Sequence, residues 1–516
     1  MTVTKRNILF FLCTSVTILR GQNIDRALDR ANDFYKNGGF AEAIPIYESI
    51  LSKKPNSNVS RLKLANCYRI LSQPDRAAPL YASIIESKEA RAQDVLHYGE
   101  TLMMLGKYDS AKFFYKKYTL MNPDDERGKL LLANVDKVKT LRPLFSEVTV
   151  FPFSQNSEGD DNAPALVPRG LVFASDRSQG FKLLKEKNPA TGRDFTTVYF
   201  AERTGDTSFS EPREFSSRLT SLNRNTSNVT FTADSKTAFF CRNSDIPAKN
   251  NAFNMQIYAA EASDTSASGW HHVELQSFCT PETNYMYPSV SPDGKRLFFV
   301  AERGDGFGGL DIYMVTRRGN KWSKADNLGN KINTAGNEGF PYAAADGRLY
   351  FCSKGHAGYG GYDIFMTEQD SIGNWRTPRN VGAPINSPYD DISICFAKDG
   401  KTGAFTSTRG GRGDDIFFFS LKNNLFKKEN QISVTNSNTT IYAPTNGEPN
   451  VSATAEKKAD APKTEVKKGD AKPQSFSIEA DPKPVGSRQP AVGGTQAASD
   501  KKPEAASRKQ IGRAHV

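Results

Sequence analysis

Histidine is scarce in this chain: five in 516 residues, at positions 97, 271, 272, 356 and 515. No HExxH, no GxSxG elbow, no Walker A loop and no GxGxxG at a strand–helix junction accompany them. A nucleophile–base set, a zinc-protease helix and a nucleotide cradle are therefore all missing. Cysteine is sparse too. After Cys13, the five at 67, 241, 279, 352 and 395 are unevenly spaced and form no CxxC. That excludes a zinc ribbon and a dense disulfide framework, and buried free thiols are expected. Beyond the first 20 residues no apolar run is long enough to cross a bilayer. The net charge is +11, but the basic residues are scattered without a stripe of interleaved aromatics. A solvated basic surface is expected, and no nucleic-acid partner. These absences lead to the expectation of no enzyme, no cofactor and no metal. The adjacent His271 and His272 read as an exposed strand edge rather than a metal pair.

What is present begins with Lys5-Arg6, an apolar run from Asn7 to Leu19, and Arg20-Gly21. A charged start, a short apolar stretch and a small residue read as a secretory signal over 1–21. Cys13 lacks the small neighbours of a lipobox. Export to the periplasm, or to the periplasmic side of the outer membrane, is the expectation.

Between residues 24 and 123 the sequence repeats itself at a step of 34. Small residues recur at Ala31, Ala65 and Gly99, and again at Ala43, Ala77 and Ala111. Large ones recur at Phe34, Tyr68 and Leu102, and at Tyr47, Tyr81 and Tyr115. A small residue on one helix lets the next approach, and no such unit buries its apolar face alone, so the copies must stack. The pattern resembles the tetratricopeptide repeat (TPR). It implies an α-solenoid over 22–142, with residues 124–142 as the capping helix. The resemblance places Asn32, Tyr35, Asn66 and Arg69 on the groove side. Amides there, offering both donor and acceptor, could hold an extended partner segment. Leu28 stands where a carboxylate clamp needs lysine, so recognition of a peptide C-terminus is not expected.

From about 145 the period becomes that of strands. One unit reads Tyr287-Pro, Asp293-Gly, an apolar strand, Gly308-Gly and Asp311-Ile-Tyr313. The next reads Phe340-Pro, Asp346-Gly, Gly360-Gly and Asp363-Ile-Phe365. The third ends in Asp415-Ile-Phe417. Two weaker copies precede them, around Ala163-Pro164 and Asp234. Tight Asp-Gly turns and short strands at this spacing suit propeller blades. The units resemble the TolB-type, WD40-like propeller repeat over 145–421. Five blades are expected, or six if the strands near 148–153 and 416–421 form a closing blade of their own. Asp311, Asp363 and Asp415 read as caps of backbone amides in turns.

After about 422 the strand pattern dissolves, and residues 445–510 are rich in Ala, Lys, Pro, Glu, Ser and Thr and poor in aromatics, so 422–516 is expected to be a disordered linker or tail. The last six, Ile511-Gly-Arg-Ala-His-Val516, match the translation of a common sequencing adapter, so the native chain is expected to continue past 510. The order of signal, TPR, propeller and linker resembles that of Bacteroidetes envelope proteins, including accessory proteins of the type IX secretion and gliding machinery. That resemblance implies a non-catalytic periplasmic scaffold, binding envelope proteins through the groove and a propeller face. Peptidoglycan would be a partner only through a further C-terminal domain. Two alternatives stand beside it: a ligand- or glycan-binding propeller, and a propeller hydrolase or lyase.

Overall fold

The computed structural model describes residues 24–423, apart from 88–89, 146, 179–186, 189–191, 222, 250–251, 264–268 and 412. The signal reading over 1–21, and the tail reading beyond its first two residues, lie outside the described residues.

The chain opens with antiparallel helices: α1 (24–36), α2 (Phe40–Lys53), α3 (Asn58–Ile70), α4 (Pro74–Glu86), α5 (Ala92–Met104), α6 (Tyr108–Met121) and α7 (Glu126–Val135). The 34-residue positions are what pack them. Ala31, Ala43, Ala65, Ala77, Ala111, Tyr47, Tyr81 and Tyr115 are all buried. At Gly99 the reason is steric: a Cβ there would lie 2.7 Å from the Tyr115 ring. Within each helical pair the chain turns through a left-handed residue, at Gly38 (φ +79), Ser72 (φ +52) and Gly106 (φ +67). Glycine adopts this conformation freely, whereas Ser72 does so under strain.

After a 3-10 turn at Asp136–Thr140, Pro143 and Leu144-Phe145 seat the helical region on the strands. The Leu144 amide donates to the Val381 carbonyl at 2.9 Å. Phe145 is buried with Ile364, Val381 and Phe396. Leaving these apolar groups in water would be costly, so the junction is packed.

Five antiparallel sheets follow, each a blade. Blade 1 comprises β2 (Asp161–Val167), β3 (Gly170–Ser175), β4 (Thr197–Glu202) and β5 (Arg213–Glu214). Blade 2 comprises β6 (Thr226–Phe231), β7 (Thr237–Asn243), β8 (Met255–Ala262) and β9 (Trp270–Leu275). Blade 3 is β10 (Tyr285–Val290), β11 (Arg296–Ala301), β12 (Asp311–Arg318) and the short β13 (Lys321–Trp322) and β14 (Asp326–Asn327). Blade 4 is β15 (Glu338–Ala343), β16 (Leu349–Ser353), β17 (Asp363–Thr367) and β18 (Arg379–Asn380). Blade 5 joins β19 (Asp391–Phe396), β20 (Thr402–Ser407) and β21 (Asp415–Leu421) to β1 (Val148–Pro152), its outermost strand. The six-blade alternative is thereby corrected. The strands near 148–153 and 416–421 pair with each other inside blade 5, closing the ring and removing a free edge.

Short outer strands leave third-strand backbone groups to be satisfied by asparagine. Asn333 accepts from the Ile312 amide and donates to its carbonyl at 2.8 and 3.0 Å. Asn386 does the same for Ile364, at 2.8 Å each way. Asn156, from the segment after β1, does so for Ile416 at 3.0 and 2.9 Å. Each amide stands in for a β-strand partner. Asp311 takes the Phe307 and Gly308 amides, and Asp363 the Gly360 amide, as turn caps do.

Candidate functional site

Every inner strand carries the same irregularity. The register shifts once in β2, β6, β10, β15 and β19. At the shift sits a non-glycine residue in left-handed backbone: Ala163, Asn228, Tyr287, Phe340 and Ser393, with φ between +46 and +55. A β-bulge of this kind re-aims a side chain, and all five line one axial cavity of about 250 Å³. Proline follows at 164, 288 and 341, where a bulge tolerates the lost N–H. The Tyr287 and Phe340 rings stack there with centroids 3.8 Å apart and planes at 19°. From this ring the cavity runs past Leu166, Phe231, Val290, Tyr342 and Phe396 to the face bearing the inner hairpin turns. The wall is mostly apolar, with Asn228 and Ser393 as polar points at the bulges and Thr230, Thr232, Ser289 and Lys398 further along.

The opposite mouth is built differently. The residue ahead of each inner strand accepts from a backbone amide of the preceding blade. The pairs are Asn225 with Thr196 (3.0 Å), Asn284 with Met255 (2.9 Å) and Asn337 with Leu310 (3.0 Å). Asp390 with Tyr362 (2.6 Å) and Asp160 with Asp414 (3.1 Å) complete the ring. An amide suffices in three of these five inter-blade clamps. The carboxylates at 160 and 390 therefore bring charge the clamp does not require. Asp176 accepts from the Asp160 amide at 2.7 Å. Asp414 accepts from the Asn162 side chain at 3.0 Å, and Arg193 lies 2.8 Å from Asp160 and 3.8 Å from Asp176. Burial, then the neighbouring Asp160 charge, raises the Asp176 carboxyl to about 7. The same two causes hold Asp414 well above the ordinary carboxylate range. Carboxyls that keep a proton near neutrality can act as general acids.

The helical region lies across this mouth. The strained Ser72 donates to Asp390 at 3.1 Å, and Lys354 faces the same carboxylate at 3.3 Å. Asn134 donates to the Gly355 carbonyl at 2.7 Å.

The four groove residues expected from sequence fall on α1 and α3, and their side chains engage the protein itself. The oxygen of Asn32 accepts from the Tyr47 hydroxyl at 2.9 Å, and that of Asn66 from Tyr81. Lys63 sits over the Tyr35 ring at 4.1 Å. Arg69 faces Glu100 at 3.6 Å and His97 at 3.3 Å. Each amide keeps only its N–H₂ to offer an incoming chain. The Asn–Tyr pairs recur at the 34-residue step, so they belong to the packing of the repeat. Sequence reasoning missed the axial residues. The available signal was an Asp or Asn immediately ahead of every inner strand.

Neither a comparison with protein-family models nor one with curated proteins finds a match. Among solved structures, the propeller is similar to TolB from Acinetobacter baumannii. That match has 15% identity and a TM-score of 0.29, and spans 52% of this chain and 56% of that one. It is similar also to an alpha-L-arabinofuranosidase from Podospora anserina in complex with cellotriose, at 12% identity and a TM-score of 0.36 over 55% of this chain and 98% of that one. An alpha-L-arabinofuranosidase from Lactobacillus brevis matches at 13% and 0.33, over 51% and 90%. Likeness at this level shows the propeller fold alone. The expectation of a non-catalytic scaffold that is no enzyme is corrected all the same. Glycosidases stand among the solved structures matched, and a propeller fold by itself decides neither for nor against catalysis. That expectation leaned on missing histidine motifs, whereas the structure gathers carboxylates from positions as far apart as 160 and 414.

Proposed function

We propose that the axial cavity binds a small uncharged ligand with an apolar face, a sugar ring being the chemical class it suits. The stacked Tyr287–Phe340 pair beside Asn228 and Ser393 carries this reading. Aromatic faces accept the C–H face of a ring, and an amide and a hydroxyl fix its orientation. At about 250 Å³ the cavity takes one small molecule. Calorimetric titration with mono- and oligosaccharides tests it. Asn228→Ala and Phe340→Ala should each remove the heat of binding. No saturable binding to the wild-type chain, or equal binding by both variants, would sink the idea.

A second reading, hydrolysis at the carboxylate mouth, is favoured by the raised Asp176 and Asp414 beside Asp160. Release of nitrophenol from aryl glycosides should then fall in Asp160→Asn, and a wild-type rate equal to buffer would refute it. For the chain as a whole, the 34-residue step supports a TPR-type array. The signal-like start and the order of the parts support an exported envelope protein of the Bacteroidetes TPR–propeller kind. Cell fractionation checks that placement.

A further inference from the structure

On an ordinary strand two neighbouring side chains point to opposite faces of the sheet. His271 and His272 on β9 do not. The register of β8 against β9 shifts after the Glu261–His271 pair, and His272 takes φ +48. The imidazole centroids lie 4.5 Å apart. Glu261 faces them from β8, with a carboxylate oxygen 3.4 Å from His272 Nδ1. One nitrogen from each histidine and one oxygen of Glu261 all lie within 4.8 Å of one another.

Blade architecture does not demand this. In blades 3 and 4 the two residues after the outer tryptophan are Ser323-Lys324 and Arg376-Thr377. None of these four has left-handed backbone. Histidine enters left-handed backbone more readily than most side chains, though less readily than glycine, so the conformation persists where the surroundings hold it. His271 Nδ1 lies 3.1 Å from the Gly269 carbonyl. A proton held there leaves Nε2 with its lone pair outward, the second-shell arrangement that orients a metal-bound imidazole.

We propose that Glu261, His271 and His272 form a binding site for a divalent transition cation, Zn²⁺ foremost. Two imidazoles and one carboxylate suit zinc better than calcium or magnesium, which take all-oxygen sets. Ligand atoms bound to one zinc sit about 3.3 Å apart, given bonds near 2.0 Å. These exposed side chains close that gap by rotation about their χ angles. Three protein ligands leave a fourth position open. Arg218 and Ser263 line the cavity beside it, so an anion bound to the metal would find a counter-charge there.

The test is equilibrium dialysis of the full chain against ZnCl₂ alone, with calorimetry for affinity. One equivalent is expected to bind. Affinity should drop by more than about tenfold in His271→Ala and in Glu261→Gln. His272→Gly separates function from folding, because glycine relaxes the left-handed backbone. It should unfold at a higher temperature than the wild type and yet lose the zinc. No stoichiometric binding by the wild-type chain, or undiminished binding by His272→Gly and His271→Ala, overturns the proposal.

Discussion

Replacing Asn66 by Ala should destabilise the helical region, whatever the groove binds. Tyr81 is wholly buried, and its hydroxyl donates to the Asn66 oxygen. Removing the acceptor leaves the buried hydroxyl proton without a partner, although Arg69 still bonds the oxygen, at a cost of about 1–3 kcal/mol. Tyr81→Phe should cost less, about 1 kcal/mol, because Asn66 lies at the edge of the core at 9% exposure and can turn towards water. With both changes made, the Asn66–Tyr81 pair is gone as a whole, and Arg69, which also bonds the Tyr81 oxygen, keeps Glu100. The double variant should therefore lose less than the sum of the single ones, by about 1 kcal/mol. The assay is urea unfolding read at two wavelengths. All three tryptophans, at 270, 322 and 375, belong to the propeller, so their fluorescence follows it alone. Circular dichroism at 222 nm follows the helices. Only the second transition should move in Asn66→Ala. Strict additivity in the cycle, or an unmoved helical transition, would refute the hydrogen bond as the reason for asparagine at 32 and 66.

Gly99→Ala gains about 1 kcal/mol of helix propensity but forces a Cβ into the Tyr115 ring, an overpacking cost of about 1–3 kcal/mol. The helical midpoint should fall, and a rise would contradict the packing. Asn156→Ala takes the acceptor from the Ile416 amide, whose carbonyl still accepts from the Phe153 amide, and should destabilise the propeller by about 1–3 kcal/mol, as should Asn386→Ala at the Ile364 amide. Equal midpoints by tryptophan fluorescence would show that ring closure does not depend on these amides. Acidity should stabilise the propeller. Burial is the largest cause that raises Asp391 to about 6, Glu338 and Asp176 to about 7 and Asp363 to about 8. The folded state then holds more protons than the unfolded one above about pH 4. Stability from these groups is full below that pH and is lost as pH rises towards 8. Buried His356, pushed down mainly by desolvation, works the other way below its ordinary value. Thermal unfolding should show a higher midpoint at pH 5 than at pH 8, with the difference narrowed in Glu338→Gln. A flat profile would argue against the buried carboxyls.

Periodicity made most of the architecture readable. The 34-residue step marks the residues that pack the helices, because each recurs where two helices must touch. The Asp-Gly turns and Asp-Ile-aromatic triplets mark hairpins and third strands, because each depends on a local backbone requirement. What stayed hidden depends on closure. Asn156 pairs with Ile416, 260 positions away, and Asp160 with Asp414, 254 away. No local pattern encodes those meetings. The prolines at 164, 288 and 341 were visible as punctuation of the repeat, but their reason, a bulge that turns the preceding side chain into the axis, needed the register. The groove asparagines were legible as a repeat and open as to role. Their tyrosine partners lie 15 residues on, across a helical turn, and recur at the same step.

The two ends of the axis set the terms for any activity. One end is apolar, floored by stacked rings and open at the face of the hairpin turns. The other carries clustered carboxylates and lies under the helical region. The helices touch the acidic end through Ser72, the one intra-pair turn residue that is not glycine and that pays in strain for its conformation. Glycine at 72 would relax the turn but remove the hydroxyl that reaches Asp390. A hydroxyl in that place, at the same step as Gly38 and Gly106, is accounted for by the contact it makes rather than by the helical repeat.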